Sequence, residues 1–268
     1  MGGTMPDTYL VSRTAADDAA LLALADLSQV LDGEEETGII GGQMVSLLSA
    51  RFPSPGAVAR RTGDADGGIP LALARTSATH DRLLALGYKP THSNRYEREG
   101  QEGATLAVDL LVPNLDIRLR QETLGGRRFD SMPGLGLALA RPLALEVSVT
   151  LSNDDELLFT THVPSVEGAI ILKAYAWQDR RARKDEIDLH NLFRIVETHP
   201  AENIGDWRLN EPPPQGPAAT PHGSCIRSQT DGKRGLRRSP STTVRSSPAS
   251  APTSPAQADG PHPLPSKT

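Results

Sequence analysis

Residues 37–48, TGIIGGQMVSLL, pass from an extended pattern to a helical one across a pair of glycines. Ile39 and Ile40 precede Gly41 and Gly42, and the apolar residues that follow have helical spacing: Met44, Val45, Leu47 and Leu48. Glycine lets the backbone turn sharply and approach a ligand, and a helix N-terminus favours a phosphate. The stretch therefore predicts a strand, a turn and a helix, with the turn either purely structural or an anion cradle.

A second stretch, RTGDADGGI at residues 61–69, carries two acidic residues two positions apart. On the strand predicted over 64–69, Asp64 and Asp66 point their carboxylates to the same side. Two like charges at that distance raise each other's pKa, and a divalent cation relieves the conflict. The stretch therefore predicts either a Mg²⁺ or Mn²⁺ site or a solvated edge strand.

The surrounding patterns predict an α+β fold. Helices are expected from a cap at Thr14, over 71–86, and near 165–180 and 184–197, and strands near 88–98 and 104–112. A hairpin is expected from residues 143–151 and 157–163. This order predicts a mixed sheet with helices packed on it, in a sheet part over about 14–163 and a helical part over about 164–200.

Three further features place charged side chains among apolar ones. Asp109 interrupts the strand pattern of Leu106 to Val112, so its face is either solvated or holds a partner or a metal. Lys173 shares a helical stripe with Ile170 and Trp177, so its ammonium group either reaches solvent or meets an anion. Asp185 and Asp188 lie one helical turn apart after a basic run of Arg180, Arg181, Arg183 and Lys184, which also fits a solvated junction with local ion pairs.

The composition sets the class of protein. The chain has 268 residues, a net charge of −5 and one cysteine, Cys225, so an internal disulfide is excluded. No apolar run approaches the roughly 18 residues of a membrane span. The N-terminal sequence lacks the basic start and the apolar stretch of a signal peptide. These features predict a cytoplasmic protein that does not contact a membrane.

The charge and composition change near Trp207. Residues 1–206 carry 20 Lys and Arg against 30 Asp and Glu, whereas residues 207–268 carry 8 against 3. Residues 211–268 hold 12 of the 22 prolines and nine serines, a composition that cannot offset the entropy cost of ordering a chain. We therefore predict a flexible N-terminus over 1–13, a domain over 14–210 and a disordered tail over 211–268. A shifted reading frame in GC-rich DNA gives the same mixture, so the tail is either native and disordered or not native.

Taken in order, these motifs resemble the polymerase-β-like nucleotidyltransferase superfamily. The pattern is a double glycine, R-T-x-D-x-D on a strand, a V-D-L-L strand, and a lysine followed by D-x-x-D-L on late helices. Within that superfamily the chain is most similar to the minimal AbiEii-type nucleotidyltransferase toxins of bacterial abortive-infection and toxin–antitoxin systems. The resemblance covers roughly residues 15–200.

The resemblance implies a nucleotidyltransferase fold and a set of roles. Gly41 and Gly42 would hold the nucleotide triphosphate, and Asp64, Asp66 and Asp109 would bind Mg²⁺ or Mn²⁺. Asp109 would also take the proton of the acceptor hydroxyl. The remaining residues would contact or orient the nucleotide: Arg61, Thr62, Lys173, Asp185 and Asp188.

The activity implied is transfer of a nucleoside monophosphate from an NTP to a hydroxyl group. The resemblance favours tRNA or a protein as acceptor and a cognate antitoxin as partner. Two alternatives stay open: a small-molecule, antibiotic-type nucleotidyltransferase, and a non-catalytic nucleotide-binding or interaction module of the same fold. The glycines at 67 and 68, directly after Asp66, favour the non-catalytic module because they could loosen the strand that carries the metal.

Overall fold

The computed structural model describes residues 6–209, apart from residues 115, 117 and 206. The tail predicted over 211–268 lies outside the described residues. In chain order the elements are β1 (Thr8–Val11), α1 (Ala15–Leu31), β2 (Gly38–Ile40), α2 (Gly41–Arg51), β3 (Ala65–Gly68), α3 (Leu71–Ala74), α4 (Ala78–Ala85), β4 (Lys89–His92), β5 (Arg95–Glu99), β6 (Thr105–Asn114), β7 (Arg120–Leu124), β8 (Arg127–Pro133), α5 (Leu135–Leu139), β9 (Leu143–Thr150), β10 (Glu156–Val163), α6 (Val166–Arg180) and α7 (Arg183–Thr198).

The described residues form two sheets, and the larger one has seven strands of mixed direction. Its main path runs β2-β3-β6-β5-β4, and β8 pairs with both β6 and β7. The long strand β6 is parallel to β3 and antiparallel to β5, and its far end is parallel to β8. Helix α1 packs across β6 and β3, and α5 packs on β6. The predicted α+β class is confirmed.

The smaller sheet has the order β1-β9-β10. Strands β9 and β10 form the predicted hairpin, with Thr150 opposite Glu156. Strand β1 adds to β9 in parallel, with Thr8 opposite Val147. The prediction of a flexible segment over 1–13 is therefore wrong for Thr8–Val11, because these residues complete a hydrogen-bonded ladder and Thr8 is buried.

Helix α1 begins as its sequence predicts. The Thr14 hydroxyl accepts a hydrogen bond from the Asp17 backbone N–H at 3.2 Å, and the Asp17 carboxylate accepts one from the Arg13 N–H. Its apolar face includes Leu24 and Leu27, which are fully buried. The helix thus supplies much of the core beneath β3 and β6.

The prediction of a single helix over 71–86 is wrong, because the structure has two shorter helices there, α3 and α4. Thr76 lies at the break, where its hydroxyl donates to the Leu73 carbonyl and accepts from the Ala78 N–H. Ser and Thr hydroxyls that bond to nearby backbone groups compete with helical hydrogen bonds. Two short helices therefore replace a continuous one.

The strand predicted over 88–98 is also divided, into the antiparallel pair β4 and β5. The turn between them includes Ser93, whose φ of 51° lies in the left-handed region. Strands β7 and β8 and helix α5 had no counterpart in the sequence-based prediction.

Helices α6 and α7 form the end of the described domain and pack on each other. Ser165 caps α6 by accepting a hydrogen bond from the Gly168 N–H, and Arg181 ends it with a left-handed φ of 49°. Only Ala182 then separates Arg181 from α7, which also packs on α2. This tight connection brings the inner faces of α6 and α7 next to α2.

A search of the described residues for helices with the length and hydropathy of a membrane span finds none.

Candidate metal and nucleotide site

Three aspartates converge where β3 and β6 lie side by side. The parallel register sets Asp66 opposite Asp109, and Asp64 lies two residues before Asp66 on the same side of the chain. Each offers a carboxylate oxygen, and these three oxygens all lie within 4.8 Å of one another. The structure thus brings together the three predicted carboxylates, which can hold a metal ion.

Burial and mutual repulsion make two of these carboxylates hard to ionise. Burial, followed by the charges of Asp64 and Asp109, raises the pKa of Asp66 to about 6. Burial also raises the pKa of Asp109 to about 6, although the Arg95 guanidinium opposes the shift. A cation between these oxygens would stabilise their ionised forms.

These pKa values lead to a prediction about metal binding. Since protons and metal compete for the same carboxylates, we expect the affinity for Mn²⁺ to fall about tenfold or more between pH 7 and pH 5 and to level off above pH 7. Isothermal titration calorimetry of the full chain across that range measures this. An affinity that stays constant down to pH 5 would exclude Asp66 and Asp109 as ligands.

The glycine turn lies directly against the carboxylates. Ile40 is opposite Asp66 in the β2–β3 pair, so the turn begins beside that side chain. Gly41 has a left-handed φ of +66°, and a Cβ there would overlap the Oδ2 atom of Asp66. A Cβ on Gly42 would come within 2.5 Å of the Arg60 Nη1 atom and 2.7 Å of the Thr62 Oγ1 atom. Both glycines are therefore required by the close packing of the site.

Gly41 gives a prediction with a matched control. We expect Gly41→Ala to weaken Mn²⁺ binding at least about tenfold, because the new methyl group displaces the Asp66 carboxylate. The left-handed backbone adds a stability cost of about 1–2 kcal/mol. Gly33 has a φ of +76° and open space around its would-be Cβ, so Gly33→Ala should lose similar stability and keep metal binding. Urea denaturation and calorimetry separate the two effects, and equal metal affinities in both variants would contradict the assignment.

The start of α2 has no side-chain cap at this turn, since its N-cap residue, Ile40, makes no side-chain capping hydrogen bond. The first N–H groups of a helix have no partner within the helix, and they carry a partial positive charge. The helix thus directs anion-binding groups toward the side on which Asp66 lies.

A second charged cluster lies between α6 and α7, and it contains the three predicted late residues. The Lys173 Nζ atom is 2.8 Å from Asp188 and 3.9 Å from Asp185. Both aspartate side chains are fully buried, and that of Lys173 is 4% exposed. The Lys173 ammonium group therefore does not reach solvent. It contacts an anion, as the second of the two predicted alternatives has it, and this anion is supplied by the protein's own aspartates.

Two arginines complete this cluster. Arg180 makes a bidentate contact with Asp185, at 2.6 Å for both nitrogens, and this contact lowers the pKa of Asp185 although burial opposes it. Arg60 lies 3.1 Å from Asp188 and also borders Gly42. Arg60 therefore connects the buried cluster to the glycine turn, and Arg180 is occupied by an ion pair.

The two residues predicted before Asp64 have different places. Thr62 lies in the site and donates a hydrogen bond to Asp64 at 3.1 Å. Arg61 instead faces α1, where it pairs with Asp17 at 3.3 Å and is 62% exposed. Arg60 occupies the site in its place. Alternation along an extended segment puts residues 60, 62 and 64 on one side, so the sequence did contain a signal for Arg60.

Gly67 and Gly68 pack tightly within β3. A Cβ on Gly68 would come within 2.6 Å of Leu139 and 2.9 Å of Leu135, and one on Gly67 within 3.2 Å of Leu27. Strand β3 is also hydrogen-bonded on both edges, to β2 and to β6. The glycines therefore allow α1 and α5 to approach the strand closely, and they do not loosen it.

Arg95 is a site residue that the sequence analysis missed. It lies opposite Asp109 in the β5–β6 pair, and its Nη1 atom is 2.7 Å from Asp109 and 3.6 Å from Asp64. Its Nε atom donates to Glu97 at 2.8 Å. This contact depends on the register in which β5 pairs with β6. That register cannot be read from the sequence.

No protein-family model and no curated protein matches this sequence. The assignment of a function to this site therefore depends on the residues and distances described above.

Proposed function

We propose that the protein is a metal-dependent nucleotidyltransferase that moves a nucleoside monophosphate from an NTP to a hydroxyl acceptor. One observation carries the proposal: three carboxylates from β3 and β6 meet directly beside the glycine turn that begins α2. A carboxylate cluster and an anion-binding turn are the two halves of a site for a metal-bound nucleotide. Their contact within one site favours nucleotide chemistry over an isolated acidic surface.

The donor set fits Mg²⁺ or Mn²⁺. Asp64, Asp66 and Asp109 offer only carboxylate oxygens, which hard divalent cations prefer, and the remaining ligands would come from substrate phosphate and water. The metal would supply charge neutralisation for the transferring phosphate and activation of the attacking oxygen. Thr62, through its hydrogen bond to Asp64, fixes the direction of one of these carboxylates.

The nucleotide triphosphate would lie against the turn at Gly41 and Gly42. The uncapped N–H groups at the start of α2 are donors for its oxygens. Arg60 adds a fixed positive charge at the edge of the turn. Because phosphoryl transfer depends mainly on positioning and charge, these groups account for the catalytic requirements without a covalent intermediate.

Asp109 is suited to receive the proton of the acceptor hydroxyl. A general base must lie within hydrogen-bonding reach of the proton it takes, and the Asp109 carboxylate lies with Asp64 and Asp66 where the metal-bound phosphate would be attacked. Its position on the central strand β6 holds it rigidly, next to Asp66 on β3. We assign it the dual role of metal ligand and base.

The buried cluster would fix the position of α2 relative to α6 and α7. Lys173 and Arg60 both contact Asp188, and Arg60 also borders Gly42, so Arg60 packs between the start of α2 and the late helices. This gives Lys173, Asp185 and Asp188 an orienting role behind the nucleotide. We propose that the fold is of the nucleotidyltransferase type and that the protein functions like the AbiEii-type toxins.

The acceptor would approach from the start of α7. Arg183 and Lys184 are exposed there, and the charge of Lys184 opposes the rise in the pKa of Asp66. An exposed cationic edge suits a phosphate-bearing acceptor such as tRNA more than a neutral small molecule. The proposal that the protein is a toxin includes a protein as the other candidate acceptor. It also includes a cognate antitoxin as a partner.

Label transfer tests the proposal. The full chain is incubated with each α-³²P-labelled NTP and Mg²⁺, and with total tRNA, a cell lysate protein fraction or an aminoglycoside as acceptor. We expect label to appear in one of the macromolecular acceptors and to disappear with EDTA or with Asp64→Ala. Transfer to the aminoglycoside alone would overturn the toxin assignment, and nucleotide binding without any transfer would favour the non-catalytic module.

A further inference from the structure

Arg95 lies among the oxygens that the metal would need. Its guanidinium group contacts Asp109 and Asp64, two of the three proposed ligands, and its side chain is 28% exposed. The same group is also held by Glu97 through its Nε atom. Arginine does not lose its charge in proteins, so this cation can leave the carboxylates only by moving.

From this geometry we propose that Arg95 is an internal counter-ion that competes with the divalent cation for Asp109 and Asp64. The inference rests on the proposed function, since it concerns the same metal site. A metal ion on Asp109 would lie close to the Arg95 guanidinium group, whose Nη1 atom is 2.7 Å from the Asp109 Oδ2 atom, so the two cations would repel each other and compete for one carboxylate. Metal alone therefore binds weakly, and metal that arrives with a nucleotide triphosphate binds well, because the phosphates supply further ligands.

Glu97 gives the displaced side chain a place to remain. It lies two residues along β5 from Arg95, on the same side of the strand, and is 34% exposed. Arg95 can keep the bond from Nε to Glu97 while its Nη1 atom leaves Asp109. The freed end of the guanidinium group then lies beside the metal and can donate to a phosphate oxygen.

Electrostatics explains why such a counter-ion is present. The site holds Asp64, Asp66 and Asp109, whose carboxylate oxygens lie within 4.8 Å of one another, and like charges this close repel each other. Within the described residues, Arg95 is the only cation with an ion pair to Asp64 or Asp109. Its removal should therefore both destabilise the protein without metal and open the site to metal.

The test is Mn²⁺ titration of the full chain carrying Arg95→Gln. We expect this variant to bind Mn²⁺ about tenfold more tightly than the wild type, since a charge-assisted contact no longer has to be broken. In EDTA its thermal midpoint should lie below that of the wild type, and in saturating Mn²⁺ the two midpoints should coincide. Arg95→Lys keeps a charge but lacks the separate nitrogens with which Arg95 holds Glu97 and Asp109, so its Mn²⁺ affinity should be intermediate. This variant serves as the test if the Gln variant folds poorly.

Arg98→Gln is the matched control. Arg98 lies on the same strand but contacts Asp26, outside the site, so its replacement should leave Mn²⁺ affinity unchanged. Equal Mn²⁺ affinity in the wild type and the Arg95 variants would overturn the proposal that Arg95 competes with the metal. It would leave the proposed metal site intact. A stability difference that persists in saturating Mn²⁺ would overturn it as well, because Arg95 would then still contact the carboxylates. If no variant binds Mn²⁺, the metal site is absent and the proposed function fails too.

Discussion

Asp66→Asn is expected to reduce nucleotidyl transfer about a thousandfold or more, because a metal ligand contributes several kcal/mol of charge stabilisation in such reactions. The same change should stabilise the protein at pH 7.5 by about 1–2 kcal/mol, since burial and two neighbouring carboxylates oppose the ionised form of Asp66. A substitution that removes activity but raises stability shows that the original residue serves function and not the stability of the fold.

The pH dependence of this gain has a definite sign. The pKa of Asp66 is raised to about 6 in the folded chain, above its ordinary value of 3.8, so the folded state holds the proton more tightly than the unfolded state does. The destabilisation is therefore fully present above pH 6 and disappears as the pH falls toward 4. The stability difference between the variant and the wild type, measured by urea denaturation, should follow this course.

Asp26→Asn is the control for this experiment. Asp26 is also a partly buried carboxylate of raised pKa, but it is held by Tyr88 and Arg98, outside the site. Its replacement should leave transfer intact, because both of its partners lie outside the site. Wild-type transfer by the Asp66 variant would remove Asp66 from the metal site.

Lys173→Met is expected to lower the free energy of unfolding by about 3 kcal/mol, because it leaves Asp188 buried with one fewer cation. Arg60 and Arg180 still contact the two aspartates, which keeps the loss from being larger. Nucleotide affinity should fall together with stability, since Arg60 of the buried cluster packs between the start of α2 and the late helices. Urea denaturation and nucleotide titration measure the two effects.

A second change should reverse the loss. Asp188→Asn in the Lys173→Met background removes the stranded charge and should restore at least half of the lost stability. Lys89 is exposed on β4, so Lys89→Met makes the same substitution without a buried partner and should be neutral. If Lys173→Met is equally neutral, the buried ion pair does not form in solution.

Local patterns were enough to predict the elements that carry the site. The double glycine, the alternation of Asp64 and Asp66, and the apolar strand around Asp109 each depend on neighbouring residues only, and the structure forms β2, α2, β3 and β6 at those places. The cap at Thr14 could be predicted for the same reason, because the Thr14 hydroxyl bonds to the Asp17 backbone N–H only three residues away. One local signal was missed at Gly125 and Gly126, both with positive φ, which form the tight turn between β7 and β8.

Contacts set by register or by packing could not be predicted in the same way. Arg95 meets Asp109 only because β5 pairs with β6 in one particular register. Lys173 meets Asp188 only because α6 turns sharply into α7 at Arg181. Strand β1 forms because its backbone pairs with the edge of β9. The sequence of Thr8–Val11 does not by itself indicate that β9 is the partner.

The central claim is that the carboxylates and the glycine turn form one site for a metal-bound nucleotide. The most direct measurement is calorimetric titration of each of the four NTPs into the full chain, with Mg²⁺ and with EDTA, for the wild type and for Asp66→Asn. The account predicts that at least one NTP binds with Mg²⁺ and that EDTA and the Asp66 substitution each abolish this binding. Absence of binding for all four NTPs in Mg²⁺, or binding that EDTA and the substitution leave unchanged, would contradict it.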